Sequence, residues 1–315
     1  IDEQHRFGVA QRMALTNKGN SPHILHMTAT PIPRSLTMML YGDMECSLLK
    51  EKPLGRKPIA TRVIPRSRYA EVVSRLQAAL DRGEKAYWIC PLVEHSASSS
   101  QHSGSNSSLD VECRMLDADL AAATSRFTEF KTRFGDIVSL VHGRMKAEDR
   151  DAEMQKFADG RSKLLVATTV VEVGVDVKDA TIMVIEQAER FGLSQLHQLR
   201  GRVGRGDKES KCILLYAGNL GEVAAQRLKI IKGTTDGFKI AEEDLKLRGA
   251  GDMLGTRQSG FAEFRFAIFP RDYVALEQAR IEAKKAVNSG NLPPQHQLLL
   301  SLFDLDESQS LIKAG

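Results

Sequence analysis

A chain of 315 residues has room for about two domains, each able to bury its own core, and 42% hydrophobic with 27% charged residues is ordinary for a globular protein. A net charge of +4 excludes a global polycation, so any affinity for nucleic acid must come from local patches. Cys46, Cys90, Cys113 and Cys212 form no C-x-x-C pair and no apolar run approaches a membrane span, which argues against a zinc site, a disulfide framework or a membrane partner and for a reducing cytoplasm.

Ile1 is not a Met and abuts a charged motif, so the chain is expected to be a piece of a longer protein. Ile1-Asp2-Glu3-Gln4-His5 reads as the end of a strand followed by paired carboxylates, which suits a Mg²⁺–nucleotide site, although Asp-Glu pairs are also common on surfaces. Ile24–Met27 reads as a short buried strand running into Thr28-Ala29-Thr30-Pro31, where two prolines (Pro31 and Pro33) enforce a turn. The spacing allows a helix between two neighbouring parallel strands. Pro53–Pro58 is the best linker candidate. Beyond it strands are expected at Ile59–Pro65, Ala86–Val93, Ile137–Val141, Lys163–Thr168, Thr181–Glu186 and Cys212–Tyr216. Helices are expected at Tyr69–Asp81 and Ala147–Phe157, with another between the second and third strands. Such alternation implies an α/β fold with a parallel sheet and helices on both faces, ligands sitting at the strands' carboxyl ends.

Ser96–Ser108 holds eight serines in thirteen residues and is expected to be a flexible loop. Gly143 and Arg144 close one strand and Thr168 another, where amides, hydroxyls and cations can take phosphodiester oxygens. Gly174 permits a tight turn, and Asp176 is available for a ribose hydroxyl or an arginine. Gln198–Gly206 packs three arginines and three glycines into nine residues after a helix-like run, which reads either as guanidinium groups held toward phosphate or as a solvated basic turn. Alternation then stops. Leu220–Lys232 and Ile240–Leu247 read as two helices, Gly249–Gly260 as a glycine-rich polar loop, and Asp272–Val287 as a last helix.

Taken in order, these motifs resemble the second half of a superfamily-two helicase motor. Asp2-Glu3-Gln4-His5 resembles motif II, Thr28-Ala29-Thr30 motif III, Ala86–Pro91 motif IV, Thr168–Asp176 motif V and Gln198–Arg205 motif VI. The stretches 2–12, 28–34, 40–43 and 237–260 are similar to the RecG family of bacterial branched-DNA helicases, and 237–260 is similar also to the Mfd family of transcription-repair coupling translocases. The resemblance implies RecA-like architecture: residues 1–52 as the end of a first lobe, 53–218 as the second lobe, 219–287 as a helical hairpin-and-loop extension, and 288–315 as a tail. It implies ATP and Mg²⁺ as cofactors, with Asp2 and Glu3 on the metal, Glu3 also acting on the hydrolytic water, and His5, Gly174 and Asp176 near the nucleotide. Gln198, Arg202 and Arg205 would act at the γ-phosphate. Gly143, Arg144 and Thr168 would hold the DNA backbone. Thr28, Thr30, Arg227, Arg248 and Gln258 would couple hydrolysis to movement. The implied partners are branched and double-stranded DNA, with single-stranded-DNA-binding protein as a further candidate, acting on a cytoplasmic monomer.

One departure matters: no G-x-x-x-x-G-K-[ST] phosphate loop occurs in the 315 residues. The chain alone is therefore expected neither to hydrolyse ATP nor to unwind DNA. A Mfd-like translocase and a non-catalytic DNA-binding module stand as alternatives to a fork-remodelling helicase.

Overall fold

Lys85-Ala86-Tyr87-Trp88-Ile89 is buried at every residue, the burial pattern of a strand covered on both faces. In a computed structural model this stretch, β2, lies inside a six-stranded sheet with β1 (Ala60–Pro65), β3 (Val138–Val141), β4 (Leu164–Ala167), β5 (Ala180–Ile185) and β6 (Lys211–Tyr216). The structure describes residues 55–91, 108–168, 177–248 and 272–289, together with residues 1, 23–25, 27, 28, 47, 49 and 51. The strand order is β1-β6-β5-β2-β4-β3, and every pairing is parallel.

Side chains alternate across the strands, and each face has its own helices. Ala86, Trp88, Leu164, Val166, Ile182 and Val184 pack with Val72, Val73, Leu76, Ala79 and Leu80 of α1 (Tyr69–Asp81) and with Ala123 and Phe130 of α2 (Ser108–Phe134). On the other face the Tyr87 ring meets Phe157 of α3 (Ala147–Ala158) edge-on at 4.9 Å. That face also takes α4 (Leu193–Arg200): the Arg200 charge acts on the buried Cys212 thiol, whose register partner is Met183. Burial pushes that thiol up to about 12, so it stays protonated.

Helix α5 (Glu222–Gly233) follows β6. Contacts divide the chain into two compact units, residues 51–236 and residues 1–50 with 237–315. The sheet unit therefore includes α5. In the second unit, α6 (Gly237–Arg248) buries Ile240, Ala241, Asp244 and Leu245, and α7 spans Tyr273–Asn288. Also in this unit, the Ile1 nitrogen donates to the Leu25 carbonyl at 2.7 Å and the Met27 N–H donates to the Ile1 carbonyl at 2.8 Å. These two bonds form a parallel bridge, but Leu25 is 70% and Met27 48% exposed, so the short strand expected at Ile24–Met27 is not buried.

Several boundaries differ from expectation. β2 stops at Ile89, before Pro91, which has no N–H for a ladder, and residues 92 and 93 lie outside the described residues. Ile137 belongs to a 3₁₀ turn, Gly135–Ile137, rather than to β3. Ser108, counted with the serine-rich loop, opens α2, and the rest of that loop lies outside the described residues. No described helix is long and apolar enough to cross a membrane.

Candidate functional site

The sheet brings Thr168, Gly143 and Arg144 together. Thr168 follows β4 and is buried, and its N–H donates to the Val141 carbonyl at 3.2 Å, which sets it beside the end of β3. Gly143 and Arg144 sit exposed in the turn that follows, closed by the Met145 N–H on the His142 carbonyl at 3.2 Å. Burial and the Arg144 charge hold the His142 imidazole below its ordinary range, so it is neutral at pH 7. The result is a carboxyl-edge ledge of backbone, hydroxyl and guanidinium suited to a sugar–phosphate chain.

The arginine turn lies elsewhere. Helix α4 leaves the carboxyl end of β5 through Gly192, whose N–H donates to the Gln195 side chain at 3.2 Å, half of a capping box. It runs back across the sheet, burying Leu193, Leu196, Leu199 and Arg200, and ends at Gly201. The following turn approaches Ile59 before β1, Lys178 before β5 and Ser210 before β6. Arg202 and Arg205 are thus at the amino edge, opposite Thr168 and Arg144. This corrects the expectation that all ligand groups gather at the carboxyl ends, because a crossover helix must return its C-terminus to the edge where the next strand begins.

Local sequence fixes this turn. Val203 is buried and pins it, while Gln198, Arg202 and Arg205 are half-exposed. Arg202 N–H donates to the Leu199 carbonyl at 3.1 Å, and Arg205 Nε donates to the Gly201 carbonyl at 3.2 Å. Gly204 has φ +72°, and a Cβ there would meet Ile59 Cγ1 at 2.8 Å. Gly204→Ala should destabilise the chain by about 2 kcal/mol through left-handed strain and the displaced isoleucine. Urea unfolding of the 315-residue chain checks this, and an unchanged midpoint would show that the turn re-forms without glycine.

Two guanidinium groups tie α4 to α5. Arg227 of α5 donates to the carbonyls of Phe191 at 3.0 Å and Glu189 at 3.2 Å, just before α4 begins. Arg200, at the end of α4, donates to the carbonyls of Ile231 at 2.6 Å and Thr234 at 2.9 Å. Upstream of α4 a third guanidinium is half-buried. Arg126 of α2 grips Glu186, the residue after β5, with Nε at 2.6 Å and a second nitrogen at 2.9 Å, and the Trp88 indole donates to the same carboxylate. Gln187 follows at φ +46°, the only described non-glycine with positive φ.

Of the other expected residues, Thr28 follows the parallel bridge and is exposed, and Arg248 is the last residue of α6. Asp2, Glu3, His5, Thr30, Gly174, Asp176 and Gln258 lie outside the described residues. Residues 169–176 join Thr168 at the carboxyl edge to Val177, which precedes β5. Among the described residues no group of three His, Cys, Asp or Glu could hold a metal ion. Glu186 and Arg126 escaped sequence reasoning. The available signal was a carboxylate closing an otherwise apolar strand, with no indication of a partner 60 residues away.

Residues 71–207 match the helicase conserved C-terminal domain family, and residues 234–303 match the family described as ATP-dependent DNA helicase RecG, domain 3, C-terminal. The chain is 48% identical over 277 residues to the ATP-dependent DNA helicase RecG of Acidithiobacillus ferridurans, covering 88% of this chain and 38% of that protein. It is 46% identical over 286 residues to RecG of Escherichia coli strain K12, covering 89% and 38%. A solved structure of RecG bound to a three-way DNA junction is 40% identical, with a TM-score of 0.63 over 88% of this chain and 33% of that one. The structure of S. cerevisiae Dbp5 bound to RNA and ADP BeF3 matches at 14% identity and a TM-score of 0.50 over 78% of this chain and 62% of that one, a likeness of fold alone.

Proposed function

The chain belongs to the RecG family, of whose curated members it spans about 38% of the length, and on that premise we propose that it is motor machinery of an ATP-dependent DNA helicase that remodels forks and four-way junctions. The observation that carries this reading is the placement of two sets with phosphate-compatible chemistry on opposite edges of one sheet: Thr168, Gly143 and Arg144 on one, Arg202 and Arg205 on the other. A lobe that only bound DNA would have no use for a second, glycine-locked pair of guanidinium groups on its far side.

In this mechanism the carboxyl edge holds the sugar–phosphate backbone of DNA through the Thr168 hydroxyl, the Gly143 amide and the Arg144 guanidinium. Arg202 and Arg205 face the γ-phosphate of ATP, with Gln198 beside them on α4. Their chemistry fits a polyphosphate, because planar forks pair with phosphoryl oxygens and remain charged at any working pH. Bound Mg²⁺ would neutralise and orient the phosphates, with Asp2 and Glu3 as its ligands. Glu3 would take the proton of the attacking water, and His5, Gly174 and Asp176 would lie near the nucleotide. Thr28, Thr30, Arg227, Arg248 and Gln258 would convert lobe closure into travel along DNA. The substrate would be branched and double-stranded DNA, handled by a cytoplasmic monomer with single-stranded-DNA-binding protein as a further partner.

The purified 315-residue chain, which has no phosphate loop, should release no phosphate from ATP above background, with or without a synthetic fork. DNA-stimulated release by the chain alone would overturn its assignment as one part of the motor. Retention of the fork by the same chain on a gel, lost when Arg144 and Thr168 are both replaced by Ala, would support the carboxyl-edge assignment.

A further inference from the structure

Arg200 lies between two arginines assigned to phosphate and a helix end, and does neither job in an ordinary way. It is 2% exposed, and burial holds its guanidinium below the usual range against a small opposing effect of Cys212. One of its terminal nitrogens is buried with no hydrogen-bond partner. Methionine has similar length and would pack without desolvating a charge, so packing alone does not explain an arginine here. What arginine adds is a charged terminal nitrogen, Nη1, that donates to two carbonyls at once, those of Ile231 and Thr234. These belong to the last turn of α5 and the residue after it, where helix geometry leaves acceptors open.

Position gives those bonds their consequence. Arg200 is the last residue of α4 and precedes Arg202 by two residues. Thr234 lies two residues before the sheet unit ends at Asp236. One side chain therefore joins the base of the arginine turn to the place where the chain leaves the unit. At the other end of α4, Arg227 makes the matching tie from α5 to Glu189 and Phe191. These bonds tie α4 to α5 at both ends of α4, within the sheet unit.

We propose that Arg200 is a positioning residue for ATP turnover, setting the Arg202/Arg205 turn from the end of α5 through the Ile231 and Thr234 carbonyls. The inference rests on Arg202 and Arg205 being directed at ATP.

Arg200→Met and Arg200→Lys in the full-length protein test it, with kcat and KM for ATP measured on branched DNA well below each variant's melting midpoint. Arg200→Met should lower kcat about 10- to 100-fold with KM held within about twofold, as misplacing a reacting group by about 1 Å does. Arg200→Lys, which keeps a charged donor nitrogen on a shorter side chain, should fall between Met and wild type. Wild-type kcat in folded Arg200→Met, a KM rise that matches the kcat fall, or equal values for Met and Lys would each overturn the proposal. Should the Met variant not fold, Arg200→Lys decides alone: reduced kcat at unchanged KM supports the role, and wild-type kcat ends it. Arg205→Ala separates the premise from the inference. If that variant turns over ATP normally the premise has failed, whereas a dead Arg205→Ala beside a normal Arg200→Met refutes only the role of Arg200.

Discussion

Arg205→Ala in the full-length protein should lower ATP turnover about a thousandfold while leaving nucleotide affinity within about threefold, the signature of a group that acts on the transition state rather than on bound ATP. The asymmetry follows from how Arg205 is held. Its Nε is engaged by the Gly201 carbonyl at 3.2 Å, so the base of the fork is anchored on its own turn. That turn is fixed in turn by buried Val203 and by the left-handed Gly204. A fork set in place before the reaction contributes most where charge develops, on the transferring phosphoryl oxygens. Rapid phosphate-release kinetics together with a fluorescent-nucleotide titration separate the two quantities. An equal loss of turnover and affinity would make Arg205 a binding residue. Undiminished turnover would remove it from the reaction and with it the amino-edge assignment.

How far this architecture is legible in sequence depends on the range of the interaction that fixes each part. The strands and helices of 60–216 follow from local apolar runs and punctuation: Lys85–Ile89 and Ala180–Ile185 are nearly continuous apolar runs buried throughout, and α1 begins and ends where its periodicity predicts. The motifs are legible for a related reason, since turn chemistry and charge are written in adjacent residues such as Arg202-Val203-Gly204-Arg205. Their division between two sheet edges is not. It depends on the strand order β1-β6-β5-β2-β4-β3 and on which way each crossover returns, neither of which any single segment encodes. The arginine ties are hidden for the same reason. Arg200 and Arg126 look like ordinary cations in a one-dimensional reading, and Arg227 stands out only through the family resemblance, yet each reaches a partner 31 to 60 residues away. Long polar side chains bridging between elements leave no periodicity, so only the folded chain reveals them.

The third of those ties carries the largest expected effect on stability. Glu186→Ala should destabilise the sheet unit by roughly 3 kcal/mol, because it takes the main partner from a largely desolvated guanidinium. Arg126 reaches Glu186 through two bonds, donates to the Tyr69 hydroxyl at 2.7 Å, bonds Glu129 and lies over the Tyr69 ring at 4.7 Å. Burial is the largest single influence and opposes its charge, yet the bond and charge of Glu186, with the charges of Tyr69 and Glu129, together outweigh it and leave the guanidinium more basic than usual. Removing the carboxylate leaves only Glu129 and Tyr69 against that opposition and orphans the Trp88 indole N–H in the core. For a unit of this size the loss corresponds to a melting midpoint lower by roughly 10 °C, readable by circular dichroism on the 315-residue chain. The double variant Arg126→Met/Glu186→Leu should recover most of it, since removing both charges removes the desolvation penalty along with the pair. A single variant that melts within about 1 °C of wild type would mean that water already reaches the pair and that the network contributes no more than a surface bridge. If instead the double variant melts as low as the single one, the loss belongs to packing around Trp88 and Tyr69. The charge pair would then be a consequence of how α2 docks on the sheet, not its cause.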